Sequence, residues 1–387
     1  MGDSNRTRLS FIEEVTWGVS PATSAYQALR FTGESLNFNI ENTISEEIRS
    51  DRQIADLIQT GAEAGGGNNF ELSYGSYDDL LAAALFDSAW SAAFTQVEIT
   101  IAATADGFTD SGNGFVSAGV VAGQWLHITG FDDSTIDGHF KVLTVAVGAI
   151  TTSPAPADVE TAGATVTLRN DGMIRNGTSQ RSFSIMREHL DMSPIVYFLF
   201  RGMIVSQMQM SVQANSILTG SFEFMGKNSA VSIATPTSGT ITAATSTDVM
   251  NAVSNVGTVL EAGAAVNSAL LKGIEFTVGN ALRGKPAIGT LGNASIGAGK
   301  ISVNGTMEAY FLSKSLYEKY VAGTESSLSF KVEKNSQAYV VTFPRIKYQE
   351  DAVNAEGGDQ DVMEKIGFQA IRDSSLNCTI QIDRFAA

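Results

Sequence analysis

The sequence predicts a mainly β protein with short helices, built from two duplicated sheet-based cores of sandwich or barrel-like form plus a small inserted β domain. Three observations predict it. Runs in which apolar and polar residues alternate recur along the chain, as in Leu36-Asn37-Phe38-Asn39-Ile40 and Met208-Gln209-Met210-Ser211-Val212. Segments of the first half lie over segments of the second in the same order. Between residues 96 and 175 the strand-like runs become short and closely spaced, with no counterpart in the second half.

Taken in order, residues 1–35 carry short apolar groups broken by Gly18, Pro21 and Gly33, and read as an irregular arm. The alternation over 36–40 marks a half-buried strand. A polar stretch follows from Glu41 to Asn69, with Gly65-Gly66-Gly67 near its end. It is too long for a hairpin turn and reads as a functional loop. Phe70-Glu71-Leu72-Ser73-Tyr74 is the next strand. Ser76, with Asp79 three residues on, resembles a capping box that starts a short amphipathic helix ending near Phe86. Such a helix is marginal alone and must cover a face of its sheet. From Val97 to Leu168, short runs such as Gln124–Ile128 and His139–Val145 are separated by Gly123, Gly130, Asp137-Gly138 and Pro154-Ala155-Pro156. Longer runs resume at Phe183–Ile185, Val196–Phe200, Met208–Val212 and Ser221–Phe224.

The repeat supports the two-core reading. Residues 69–85 lie over 305–321, with Tyr74 on Tyr310, Leu80 on Leu316 and Leu85 on Val321. Phe38-Asn39-Ile40 lies over Phe276-Thr277-Val278. Past the extra material the offset falls by roughly the length of that material. Ser182–Ile185 then lies over Ser327–Phe330, Phe200 over Phe343, and Phe222-Glu223-Phe224 over Ile366-Gly367-Phe368. The first core is therefore expected over 1–95 and 176–229, interrupted by an insert at 96–175 that folds by itself. Residues 230–272 form a connector, and the second core occupies 273–387.

Composition narrows the function. Hydrophobic residues make up 43% of 387, enough for sizeable cores, and 37 glycines against 7 prolines suit turns and bulges. Only 17% of residues are charged, so Ser, Thr, Asn, Gln and Gly cover much of the surface, as suits packing between subunits. The net charge is −16, and no basic cluster exceeds Arg6 with Arg8, which excludes a surface that grips nucleic acid through its phosphates. An acidic wall would repel DNA instead of holding it. The one cysteine, Cys378, excludes an internal disulfide framework and lies in the alternating run Leu376–Ile382 as a small core residue. No signal-like apolar region opens the sequence, and no apolar run reaches the roughly 18 residues of a membrane span. Synthesis in the cytoplasm and no membrane contact are expected.

Catalytic and metal chemistry finds no purchase. His127, His139 and His189 are the only imidazoles; the first two fall in the insert with too few donors beside them, and His189 reads as a solvated turn residue. Asp132–Gly138 offers oxygens but no closing Glu, and reads as an acidic turn. Gly65–Gly67 and Gly297-Ala298-Gly299-Lys300 lack the residues of a phosphate loop and read as loop hinges. Gly-x-Ser-x-Gly is absent. The expected protein is not an enzyme and uses no cofactor and no metal.

At FIEEVTWGVSPATSAYQALRFTGESLNFNIENTISEEIRSDRQIADL (11–57) the sequence resembles the major tail tube proteins of long-tailed bacteriophages. The likeness continues through FELSYGSYDDLLAAAL (70–85), Arg201-Gly202-Met203, ANSILTGSFEFMGKNS (214–229) and DQDVMEKIGFQAIRDSSLNCTIQIDRF (359–385). It covers nearly the whole chain apart from 96–175 and the loop around 230–265. The resemblance implies a structural virion subunit whose copies close into rings. Stacked rings would form a hollow conduit for the genome. It also implies tail terminator, tape measure and distal tail proteins as partners, DNA in transit, and a place in the virion tail. With a duplicated core it implies three chains per pseudo-hexameric ring, six being the alternative, and an insert on the outer wall. A decoration or adhesion protein of the virion is the rival function.

Two sets of site residues follow. The mixed charges Glu46, Glu47, Arg49, Asp51 and Arg52 in the polar stretch suit an interface between subunits or rings, where they would specify register. Glu223, Glu308 and Glu364, on strand-like segments, are candidates for an acidic lumen over which DNA slides without sticking.

Overall fold

Alternating runs become strands because a period of two sends every apolar side chain to one face, where burial holds it. In the computed structural model, which describes residues 2–266, 271–355 and 357–387, these strands join edge to edge across both halves of the chain. Asn37–Ile44 pairs with Leu57–Glu71, which pairs with Thr219–Gly226, which pairs with Val196–Gln213. The far end of that strand, residues 207–213, also pairs with Leu271–Gly279 of the second half. The sheet continues through Ser302–Tyr310 and Met363–Ala370 to Gln337–Asn354. All these pairings are antiparallel, and four strands come from each half in the same order.

The halves agree further. Each fourth strand turns its early residues to a fifth: Val196–Gln213 to Phe183–His189, and Gln337–Asn354 to Glu325–Lys334. A short helix, Asp78–Ala84 or Ser315–Ala322, stands between the second and fifth strands in chain order. Even the bulges correspond. One between Phe183 and Ile185, opposite Met203 and Phe200, is matched by one between Ser326 and Leu328, opposite Ile346 and Phe343. Another lies between Val205 and Gln207, and its match lies between Tyr348 and Glu350. Bulges insert single residues at fixed places, so they register two ladders better than side-chain pattern does. They keep Phe200 with Phe343 and Phe224 with Phe368, as the sequence comparison has them. They move Phe38 onto Val278 instead of Phe276, and Ile185 onto Leu328 instead of Phe330. Alternation cannot detect a slip of two residues.

Several local expectations are corrected. Residues 41–69 are not a loop: they are the two arms of a hairpin, and only the turn between Ile44 and Leu57 is irregular. Gly65–Gly67 are not hinges but strand residues pairing with Glu223–Met225. A Cβ on Gly67 would meet Phe222 O at 2.5 Å, and Gly66 has φ +103 with Ser35 O at 2.2 Å from a Cβ. Glycine is there because neighbouring backbones press on that strand. The arm is not irregular throughout, since Thr7–Glu13 pairs with Phe183–His189 and Tyr26–Leu29 with Thr7–Glu13. His189 lies in a strand, its ring 5.7 Å from that of Phe198. Cys378 is buried but precedes the last strand, Gln381–Phe385.

No capping box starts the first helix. Its N-cap is Tyr77, with no side-chain cap. Asp78 is drawn away to the second half, where its carboxylate accepts from the Tyr339 hydroxyl and pairs with Arg384. Asp79 pairs with Arg181 at 3.0 Å. The helix is not amphipathic either, because Leu80–Ala84 are all buried.

Phe94–Asn170 forms a separate seven-stranded sheet with its own apolar cluster around Phe108, Leu126 and Phe140. It is fastened to the second half through Trp125, which packs with Ala338, Val340 and Phe385. The indole Nε1–H donates to Thr342 Oγ1 at 2.9 Å, and the Trp125 amide donates to Asp383 at 3.1 Å. Asp383 also accepts from Asn170 and Gln381, and burial pushes its carboxyl up to about 7. Trp125→Ala should lower the unfolding free energy by about 3–5 kcal/mol, and Trp125→Phe by about 1 kcal/mol for the lost hydrogen bond. Denaturant titration of the full chain checks both.

Candidate conduit face and assembly edges

Pairing fixes which side chains share a face of the long sheet, since directly opposed residues point the same way. One face is the core: Phe38, Phe222, Met208, Phe276, Val303, Ile366 and their alternates, with Phe276 against Phe343 at 5.2 Å and Phe343 against Phe368 at 5.3 Å. The other face carries the residues between them. Glu223 stands between Gly67 and Gln207, Glu275 between Ser211 and Thr306, and Glu308 opposite Lys365. Glu63, Glu71 and Glu350 share it. Lys272, Lys347 and Lys365 are its bases, and Lys272 pairs with Glu308 at 2.8 Å. The face is polar, nearly free of large apolar groups, and acid-rich.

Two of the three lumen candidates, Glu223 and Glu308, therefore lie together on this polar face. Glu364 does not. It sits on the core side of Met363–Ala370, in line with Ile366 and Phe368, and is 3% exposed. One residue of strand parity separates the two positions, and only pairing reveals it. The acids Glu275 and Glu350 and the glutamines Gln207 and Gln209 were missed by sequence reasoning. Their signal, polar residues alternating with core residues, is shared by any half-buried strand.

The interface candidates Glu46, Glu47, Arg49, Asp51 and Arg52 fall in the hairpin turn and are all exposed. Arg49 pairs with Asp51 at 2.9 Å and holds its carboxyl below the usual range. Ile48 stands between these charges at 99% exposure, and Ile54 follows them at 69%. An apolar group in such a position asks for cover.

The remaining polar groups serve the fold. His127 and His139 stack at 4.3 Å, with Arg169 and Lys331 against their Nδ1 atoms. Burial, then the Lys331 charge, pushes His139 down to about 2, and cations at both rings oppose a metal ion. In the turn at 132–138, Asp133 and Asp137 accept from the backbone amides of Thr135, Gly130 and Phe131. Among the described residues no group of three or more His, Cys, Asp or Glu is placed to hold a metal, and no helix is long and apolar enough to cross a membrane.

A family model of phage tail tube proteins matches residues 4–370. The chain belongs to that family. Comparison with the curated proteins finds no match.

The misplaced acid makes a pH prediction. Burial first, then Asp351 beside it, push Glu364 up to about 7. An unfolded Glu ionises near 4.3, so the folded state holds this proton more tightly. The resulting stability is fully present below about pH 4 and is lost as pH rises towards 7. Glu364→Gln should flatten that slope and raise stability at pH 8 by on the order of 1 kcal/mol. The full shift would convert to more, but Asp351 is pushed up beside it and the two carboxyls share the effect. Denaturation at pH 4 and pH 8 checks the difference.

Proposed function

We propose that the chain is the wall-building subunit of a phage tail tube, whose copies close into rings that stack into a hollow conduit for the genome. The observation that carries this reading is the continuous sheet with one polar, acid-rich face and, among the described residues, an open edge at each end. A sheet with two open edges is incomplete as a monomer, because its outer amides and carbonyls lack partners. Head-to-tail joining satisfies them and, when the rotation closes, makes a ring. The polar face then lines the bore, where an excess of carboxylates repels phosphate and lets DNA slide.

The matched strand order and bulges support descent of the two halves from one duplicated unit. Each half is then one of six equivalent wall units, and three chains complete a ring. Six chains per ring is the alternative. The insert, lying outside the long sheet, decorates the outer wall. The same reading makes the chain non-catalytic, cytoplasmic when synthesised, and a partner of tail terminator, tape measure and distal tail proteins.

Purified protein viewed by electron microscopy should show hollow tubes of constant diameter, with a single ring containing three chains by native mass. A protein that stays monomeric at every concentration would overturn the function. Six chains in a ring would overturn only the count. Replacing Glu46–Ile54 with a Gly-Ser linker should leave melting within about 0.5 kcal/mol of the parent, because those side chains lie in an exposed turn. It should nonetheless abolish polymerisation, and normal tubes would remove the turn from the interface.

A further inference from the structure

The ladder between Val196–Gln213 and Leu271–Gly279 joins the two halves of one chain. If the halves are equivalent units, that ladder is also a template for the joint between chains. Its two sides each have a counterpart that is unpaired. Asn37–Ile44 corresponds to Leu271–Gly279 and, among the described residues, pairs only with Leu57–Glu71. Residues 350–354 correspond to 207–211 and, among the described residues, pair only with Met363–Ala370.

We propose that residues 350–352 of one chain pair antiparallel with residues 37–39 of a second copy, with Glu350 opposite Asn39, Asp351 opposite Phe38 and Ala352 opposite Asn37; Leu36 lies outside the joint, since its amide donates to Glu34 Oε2 and its carbonyl accepts from Arg187. The proposal rests on the ring-building reading above and names the joint that reading requires.

The register comes from the bulges. They set Gln207 with Glu350 and Met208 with Asp351, and the ladders running outward from them set Val278 with Phe38 and Gly279 with Asn39. Within the chain, Gln207 is opposite Gly279 and Met208 opposite Val278. Carrying those pairs across gives the register stated.

Backbone direction agrees. Ala214 N–H donates to Lys272 O at 2.7 Å, so alternate residues back to Met208 turn their amides towards Phe276 and Val278. On the open edge, Ser35 N–H donates to Gly67 O at 2.9 Å. Asn37 and Asn39 therefore face Leu57–Glu71, while Phe38 points its amide and carbonyl outward, as Val278 does inside the chain.

The helices supply an independent observation. The connection that follows Leu271–Gly279 covers the end of the first helix. Asn280 Nδ2 donates to Ala84 O and Val205 O, each at 3.0 Å, and Leu282 and Ile296 pack with Phe86 and Ile204. The second helix, Ser315–Ala322, has no such cover: none of its residues is buried, and Val321 is 66% exposed. The hairpin turn that follows Asn37–Ile44 in the second copy, with Ile48 and Ile54 bare, is the matching connection. One joint thus closes an open edge, a bare helix and an exposed turn together.

The test places a cysteine on each side of the joint. Asn39→Cys with Glu350→Cys makes a non-hydrogen-bonded pair, where Cα atoms stand about 4.5 Å apart, inside the disulfide range of about 4.4–6.8 Å. Mild oxidation of assembled tubes should cross-link most chains through it. Asn39→Cys with Ala352→Cys, a diagonal pair about 7–8 Å apart, should cross-link about tenfold less. Preferential linking of the diagonal pair would overturn the register, and failure of both pairs in assembled tubes would overturn the joint. Should the variants fail to assemble, hydrogen exchange on parent tubes decides: the Phe38 and Asp351 amides should slow at least about tenfold against free chains, and unchanged exchange would overturn the proposal. In each of these outcomes tubes of the parent protein leave the function standing. Absence of parent tubes would overturn the function itself, and the joint with it.

Discussion

Backbone hydrogen bonding across the middle of the chain is the constraint on which the rest depends. Seven consecutive residues, Gln207–Gln213, pair with Gly279–Gly273, and through them four strands of one half become continuous with four of the other. Without that ladder there would be two small sheets, each with two open edges. With it there is one sheet whose faces are set over its whole width, because parity carries from strand to strand. That is why Glu223 and Glu308, far apart in sequence, share a surface, and why Glu364 cannot join them.

Other contacts hold the halves at this seam. Asp78, at the start of the first helix, reaches Tyr339 and Arg384 in place of its own helix amides. The connector contributes Met250, whose amide donates to Leu72 O, and Gly257, whose amide donates to Lys331 O. It therefore touches both halves. A local rule, the acidic helix start, yields here to a long-range one. A half-buried carboxylate gains more from a phenol and a guanidinium than from exposed amides.

The seven-stranded domain shows the same trade. Its own cluster folds around Phe108, Leu126 and Phe140, yet Trp125, Asn170 and Arg169 reach out of it into the second half. Asp383 is buried among these groups: Gln381 of its own half holds one oxygen, and the other is satisfied by Trp125 and Asn170 while the two bodies touch. The domain is inserted in the first half but docks on the second, so the chain crosses over itself and this contact adds to those that hold the halves together.

Alternation in the sequence by itself determined the β class and many of the strands, because each depends on residues near one another, and comparison of the two halves gave the order of matching segments. Phe200 with Phe343 and Phe224 with Phe368 were legible since large aromatic residues mark their places. The charges at 46–52 were legible as a polar surface, though not as a hairpin turn: Gly65–Gly67 look like loop residues until a neighbouring backbone is seen pressing on them. The offset of Phe38 and the facing of Glu364 were not legible, because a period of two is blind to a slip of two and parity is set by a partner strand. Which edges remain open was decided by the tertiary structure alone, since an edge exists only after every other pairing has been made.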